Sequence, residues 1–242
     1  FAFSADESRM AVASTSDLIL RGKSVLDVWN LDTDSVLRLA LSNSPSSVAF
    51  FPHEEKIVVG SGWSTSANPS IAGRIECWDL SRKTQLWAWN TKPGVNRLSI
   101  SGDAKWIAYG ASRRRSFLLD ATSGAMLLSF QHGPCAVGDC DAVTKLGFLG
   151  DHRRLFTVCG SLRLWTIVDS LKVCEVAGSG WGSDVNAVAF DKHNSLMAIA
   201  EFGSPNVTLI DESGTPPFHQ LISLGSPSLR EVLSLAFVDT GN

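Results

Sequence analysis

The sequence predicts an all-β fold in which one four-stranded antiparallel module is used five times. Two landmarks advance along the chain at a common spacing. Within each unit, apolar residues alternate with polar ones at a period of two, as in RIECW (74–78), where Ile75 and Cys77 point one way and Glu76 and Trp78 the other. Clusters of Gly, Pro, Ser and Asp part the short apolar runs, and no stretch of helix length carries an apolar stripe at helical spacing.

The first landmark is the third residue of FAFSADESRM, VAFFPHEEKI, LSISGDAKWI, LGFLGDHRRL and VAFDKHNSLM. These residues are Phe3, Phe50, Ile100, Phe148 and Phe190, with Phe237 in the closing LAFVDTGN, spaced 42 to 50 residues apart. The second landmark is a large apolar residue followed by a polar one and a turn rich in Asp, Ser, Thr or Gly. Trp29, Trp78, Leu119, Trp165 and Ile210 fill it at intervals of 41 to 49 residues.

The elements follow in order. Unit one (1–43) opens on FAF, continues through a connection from about Ser14 to Ser24, and ends its third strand at Trp29. Unit two (44–92) runs from VAF through a second strand ending near Gly60, the connection SGWSTSANPSIAG (61–73), RIECW, and a fourth strand LWAW. There Trp87 and Trp89 share one side and are expected to pack between modules. Unit three (93–140) holds LSI, a second strand with Trp106 expected in the core and ending near Gly110, a connection carrying Arg113, Arg114 and Arg115, a third strand to Leu119, and MLLSF (126–130). Unit four (141–182) has LGF, a second strand ending near Gly160, and LRLW at 162–165. Unit five (183–229) has VAF, a second strand ending near Ala200, and a third ending at Ile210; residues 230–242 open a sixth unit.

Bulk properties narrow the function classes. Hydrophobic residues at 44% with 19% charged describe a chain that buries a sizeable core rather than a disordered one. The formal charge of -3 predicts neither nucleic acid nor an anionic membrane as partner. No apolar run is long enough to span a bilayer, and FAFSADESRM lacks the basic start and apolar stretch of a secretory signal. Because the sequence begins with Phe, it is expected to be part of a longer protein. The five cysteines (Cys77, Cys135, Cys140, Cys159, Cys174) are an odd number, which predicts free thiols and an intracellular setting, cytoplasmic or nuclear.

VAFFPHEEKIVVGSG and RIECWDLSRKTQ resemble the WD-repeat blades of a β-propeller, in which four-stranded sheets stand radially at about 40–45 residues per blade. The resemblance covers nearly the whole chain in period and strand pattern. Its signature is sparse: only Trp78-Asp79 is an intact Trp-Asp pair, the others being Trp29-Asn30, Leu119-Asp120, Trp165-Thr166 and Ile210-Asp211. The family's Gly-His pair and its Asp before the third strand are missing, so its buried polar tetrad is not expected and apolar packing carries the blades. The resemblance implies five complete blades and the first strand of a sixth, a fragment of a seven-bladed ring whose end blades would present unpaired edges.

In that family, the loops joining second to third strands share one face with those joining fourth strands to the next first strand. Here this face receives Trp63, the run Arg113, Arg114 and Arg115, and Trp181 in AGSGWGSD (177–184). Tryptophan and arginine dominate binding hot spots because they bury large areas and hydrogen bond as well, so these five residues are the candidate partner-binding set. The arginines would suit an acidic or phosphorylated group. The bland alternatives are an aromatic folded back on its sheet and a solvated loop.

The segment HGPCAVGDCD brings His132, Cys135, Asp139, Cys140 and Asp141 together but has no second ligand pair, so no metal is expected. The remaining histidines are scattered, with His53, His152 and His193 at one repeat position, and no nucleophile elbow, phosphate loop or dinucleotide fingerprint occurs. The reading is therefore a non-catalytic scaffold without cofactor or small-molecule substrate, binding other proteins or peptides through its loop-rich face. One alternative, from likeness in style, is the ligand-sensing propeller of a NACHT-type signalling ATPase. Another is a quinone-dependent propeller dehydrogenase, whose repeat DLSRKTQLWAW resembles, although only unit two carries the Trp after the turn.

Overall fold

In the computed structural model, twenty strands form five antiparallel sheets, each made of four strands in chain order, and no helix is found among the described residues. The structure describes residues 1–15, 23–63, 71–133, 141–149, 153–169, 172–178, 185–191, 196–201, 204–211 and 219–225, with 232 and 235. Sheet one holds β1 (Ala2–Phe3), β2 (Arg9–Thr15), β3 (Ser24–Asn30) and β4 (Ser35–Leu41). Sheet two holds β5 (Pro45–Phe50), β6 (Lys56–Ser61), β7 (Gly73–Asp79) and β8 (Thr84–Thr91). Sheet three holds β9 (Arg97–Ile100), β10 (Trp106–Gly110), β11 (Arg115–Asp120) and β12 (Met126–Gln131). Sheet four holds β13 (Lys145–Phe148), β14 (Arg154–Cys159), β15 (Ser161–Asp169) and β16 (Lys172–Gly178). Sheet five holds β17 (Val185–Phe190), β18 (Leu196–Glu201), β19 (Asn206–Asp211) and β20 (His219–Gly225).

Strand register explains why two landmarks keep step over the whole chain. In every sheet they sit in one cross-strand row, joined by an apolar residue of the second strand. The rows are Phe3–Met10–Trp29, Phe50–Ile57–Trp78, Ile100–Ile107–Leu119, Phe148–Leu155–Trp165 and Phe190–Met197–Ile210. A slip of one residue in any pairing would turn a whole apolar set to the other face. In sheets two to five the pairing with the fourth strand shifts immediately before the second landmark, at Cys77/Trp78, Leu118/Leu119, Leu164/Trp165 and Leu209/Ile210. Such a shift bends the outer strand and raises its twist.

The polar residue after the second landmark closes the next turn. Asn30 Oδ1 accepts from the N–H groups of Asp32 (3.0 Å) and Thr33 (2.9 Å). Asp79 Oδ1 accepts from Arg82 N–H, and Asp120 Oδ1 from Ser123 N–H, each at 2.8 Å. Thr166 occupies this position in sheet four, and β15 runs on to Asp169 with a second irregularity at Ile167/Asp169. A threonine hydroxyl forms such turns more weakly than an Asx side chain. One residue further on, the N–H of Leu31, Leu80, Ala121 and Ile167 donates to the carbonyl of Ser8, Glu55, Lys105 and Arg153, respectively. This bond ties the turn between third and fourth strands to the turn between first and second, so both lie at one end of the sheet.

Consecutive sheets pack face to face. Leu26 and Val28 of sheet one meet Ile57 and Val59 of sheet two, and Ile75 and Cys77 meet Leu98 and Ile107 of sheet three. Leu118 meets Leu155 and Trp165 of sheet four, and Val158 and Leu162 meet Val185 and Ile199 of sheet five. The first strands of sheets one to four also run beside one another. Side chains link them: Leu98 N–H donates to Ser47 Oγ (3.0 Å) and Phe148 N–H to Ser99 Oγ (3.4 Å). The residue before each first landmark is small (Ala2, Ala49, Ser99, Gly147, Ala189), as crowded inner strands require. Ser46 Oγ donates to Val95 O where the chain enters sheet three. Asn186 Nδ2 donates to Val232 O (2.6 Å) at the matching register.

Two tryptophan expectations change. Trp87 does pack between sheets, where Gly124 (φ +72°) lies against its ring, but Trp89 stays exposed. Trp106, expected in the core, is half-buried at the start of β10 and packs beside the cluster of sheets three and four. In sheet one the landmarks Phe3 and Trp29 are 52% and 40% exposed, because no described sheet covers that face.

Small residues close the second strands for a steric reason. A Cβ on Gly110 would lie 2.4 Å from Val143 Cγ1, and one on Gly60 would lie 2.5 Å from Val95 Cγ1. Both valines belong to the chain entering the next sheet, and β-branched side chains have little freedom to yield. Gly110→Val should therefore cost about 1–3 kcal/mol in urea unfolding, with Val143→Ala in the same chain recovering only part of it, because the Cβ of residue 143 itself lies 2.6 Å from the added atom.

Candidate partner-binding face

The end of the sheets opposite the turns just described carries the connections between second and third strands and those leading to the next sheet. In sheet three the first of these is a tight hairpin. Ala111 N–H donates to Arg115 O (3.0 Å), and Arg113 and Arg114 take φ of 58° and 55°. Two successive left-handed residues match the twist of the flanking strands, and Asn-Gly is the pair that adopts this turn without strain. An L-residue with a bulky side chain pays about 1 kcal/mol for such a conformation.

The chain returning to sheet four runs along this hairpin. Arg114 N–H donates to Asp141 O (2.8 Å), Val143 N–H to Ala111 O (3.0 Å), and Ser112 pairs with Ala142. His132 N–H donates to Arg114 O (2.8 Å). The arginine run is therefore divided rather than displayed as one loop. Arg113 is exposed at the tip and Arg114 is half-buried among these bonds. Arg115, expected in the connection, opens β11 instead, with its guanidinium 5.4 Å from the centre of the Phe117 ring.

Trp63 follows β6 and is 44% exposed. The Arg97 guanidinium lies over its ring at 5.0 Å, a cation–π contact that braces the indole while leaving much of it open to solvent. Trp181 lies outside the described residues, as do Cys135, Asp139 and Cys140. Arg97, half-buried at the start of β9, is the residue that sequence reasoning overlooked; Lys145 holds the same place in β13. Their trace in the sequence is a basic residue three positions before the first landmark in units three and four. Burial lowers the pKa of both, and the charge of Arg97 lowers that of Lys145 further.

Behind this face the contact between sheets three and four is mainly apolar, as the absent family signature predicts, but it also contains buried polar pairs. Trp165 Nε1–H donates to Thr157 Oγ1 (2.6 Å), and His132 Nε2 sits 3.2 Å from Ser116 Oγ. The imidazole stands edge-on to the Trp165 indole at 5.3 Å. Burial, followed by the charges of Arg163 and Arg114, pushes the pKa of His132 down to about 3. It is therefore a neutral, structural ring at physiological pH. Cys77 and Cys159 are buried thiols outside any disulfide, and burial pushes them up to about 12 and about 11, which leaves them unreactive as nucleophiles. Among the described residues, no three His, Cys, Asp or Glu side chains are placed to hold a metal ion.

Two outcomes follow from this geometry. Replacing Arg113 and Arg114 by Asn and Gly should raise unfolding stability by about 1 kcal/mol, as the turn loses its strain; a fall would show that the guanidinium groups hold the hairpin. His132 takes up its proton near pH 6.5 when unfolded and near pH 3 when folded, so its contribution is complete above pH 6.5 and declines as pH falls toward 3. Within that window stability should drop by about 1.4 kcal/mol per pH unit through this group, and His132→Gln should flatten the profile in equilibrium unfolding.

Compared with known proteins, the chain matches no protein-family model and no curated protein sequence.

Proposed function

We propose that the five sheets are blades of a WD-repeat-like β-propeller, and that the chain is a non-catalytic interaction module of a larger intracellular protein or complex. The face-to-face stacking of consecutive sheets and the adjacent first strands support the propeller reading. So does the matching register at Val95 and Val232. The reduced, buried thiols of Cys77 and Cys159 suit a reducing compartment.

One observation carries the interaction reading: the half-open indole of Trp63, braced by Arg97, on the same end of the sheets as the strained hairpin that exposes Arg113. The turns at the opposite end already satisfy the needs of the fold, so this end is free to vary for recognition. A rigid stack of sheets fixes its loops in one plane, and specificity can then change without altering the core.

The test is affinity capture with the parent protein, comparing wild type with Trp63→Ala and Arg113→Ala, and with Trp181→Ala beside them. Each of the first two should lose captured proteins while the thermal unfolding midpoint stays where it was. Unchanged capture would end the interaction reading, and a collapse in stability would make Trp63 a core residue.

A further inference from the structure

The charge at this face is unevenly distributed. Among the described residues, Arg97, Arg113, Arg114, Arg115, Lys145 and Arg163 gather at this end of sheets three and four, with Asp141 as the carboxylate among them. The opposite end mixes both signs, with Asp103 beside Lys105 and Glu55 beside Arg9. Within the cationic group, Arg97 and Lys145 occupy a special position. Each is the first residue of an inner strand, β9 and β13 lie next to one another, and both side chains are half-buried. Neither forms an ion pair with a described residue.

We propose that Arg97 and Lys145 together seat one phosphoryl group, carried by a phosphorylated side chain of the partner segment, with Trp63 as the flanking contact. This rests on the interaction reading above and names the ligand chemistry of the same face. Two like charges held side by side and partly removed from water oppose each other, as the lowered pKa of Lys145 records. A dianion between them turns that repulsion into two charge-assisted hydrogen-bonding contacts. Arg97 is pre-oriented for this role: one face lies on Trp63, and one Nη1–H donates to Asn96 O at 2.9 Å. An ordered guanidinium loses less entropy on binding than a free one.

The observations favour a peptide over a polynucleotide or a membrane. Both of those polyanions bind through many phosphate contacts along an extended basic surface, whereas here two half-buried cations open neighbouring strands, and the chain as a whole carries a formal charge of -3. A single phosphoryl group on a peptide matches two neighbouring half-buried cations with an aromatic ring beside one of them.

The experiment is an isothermal calorimetric titration of the full chain with an alanine-flanked phosphoserine peptide, inorganic phosphate and the unphosphorylated peptide. An eight-nucleotide single strand and phosphatidylserine vesicles are tested in parallel by sedimentation. The phosphopeptide should bind, the unphosphorylated peptide should not, and Lys145→Gln should weaken binding by about tenfold, with Lys145→Arg restoring most of it. Arg97→Gln should weaken binding similarly, while the lysine variants leave the Trp63 stacking partner in place and control for loss of fold. No phosphopeptide binding, or equal binding by Lys145→Gln, overturns the proposal. Inorganic phosphate binding as tightly as the peptide overturns the assignment to a partner's side chain, and tighter binding of the oligonucleotide or vesicles overturns the choice of peptide. Partner capture that still depends on Trp63 in the absence of phosphopeptide binding removes only this proposal and leaves the interaction reading standing.

Discussion

The fold depends on a single row of three side chains repeated in each sheet. Where Phe50, Ile57 and Trp78 line up across three strands, or Phe148, Leu155 and Trp165 do, the register of the whole sheet is set. That register decides which residues face the neighbouring sheet, because side chains alternate strictly along a strand. The turns reinforce it from one end, through the Asx side chains and the backbone bond from Leu31, Leu80, Ala121 and Ile167. With one end of each sheet committed in this way, the other end carries variation. The exposed indole, the strained hairpin and the gathered cations all lie there.

Much of this architecture is legible in the sequence because it rests on local rules. Period-two alternation marks strands, Asp, Asn and Gly mark turns, and a row of large apolar residues recurs because every sheet solves the same packing problem. Features that depend on comparing distant residues are harder to see. Arg97 and Lys145 lie 48 residues apart and become neighbours only because the repeat places both at the same point of adjacent inner strands. The split of the arginine run also escapes a local reading. Whether Arg115 begins a strand or continues a loop depends on Arg113 and Arg114 accepting left-handed conformations that their side chains disfavour.

Sheet four illustrates how a missing signature misleads. With Thr166 after Trp165 and no Gly-His pair, the sequence reads as a blade held mainly by apolar contacts. Thr157 lies directly on strand β14 and still takes the indole proton, while His132 reaches the same contact from the end of sheet three and finds Ser116. The buried indole N–H and the imidazole Nε2 take partners that no linear motif connects to them. The candidate face is legible only in part for the same reason. Trp63 stands out as an aromatic among small polar residues, but the guanidinium that holds it belongs to the next sheet.

Among the described residues, the apolar clusters join each sheet only to the one before and the one after. Cohesion that reaches no further than adjacent members makes the array modular. A unit could be copied, lost or exchanged by recombination at the connecting segments, and only two seams would need to be remade. The unequal landmarks, with tryptophan in three units and leucine or isoleucine in the others, fit an array in which each unit answers only to its own pair of neighbours.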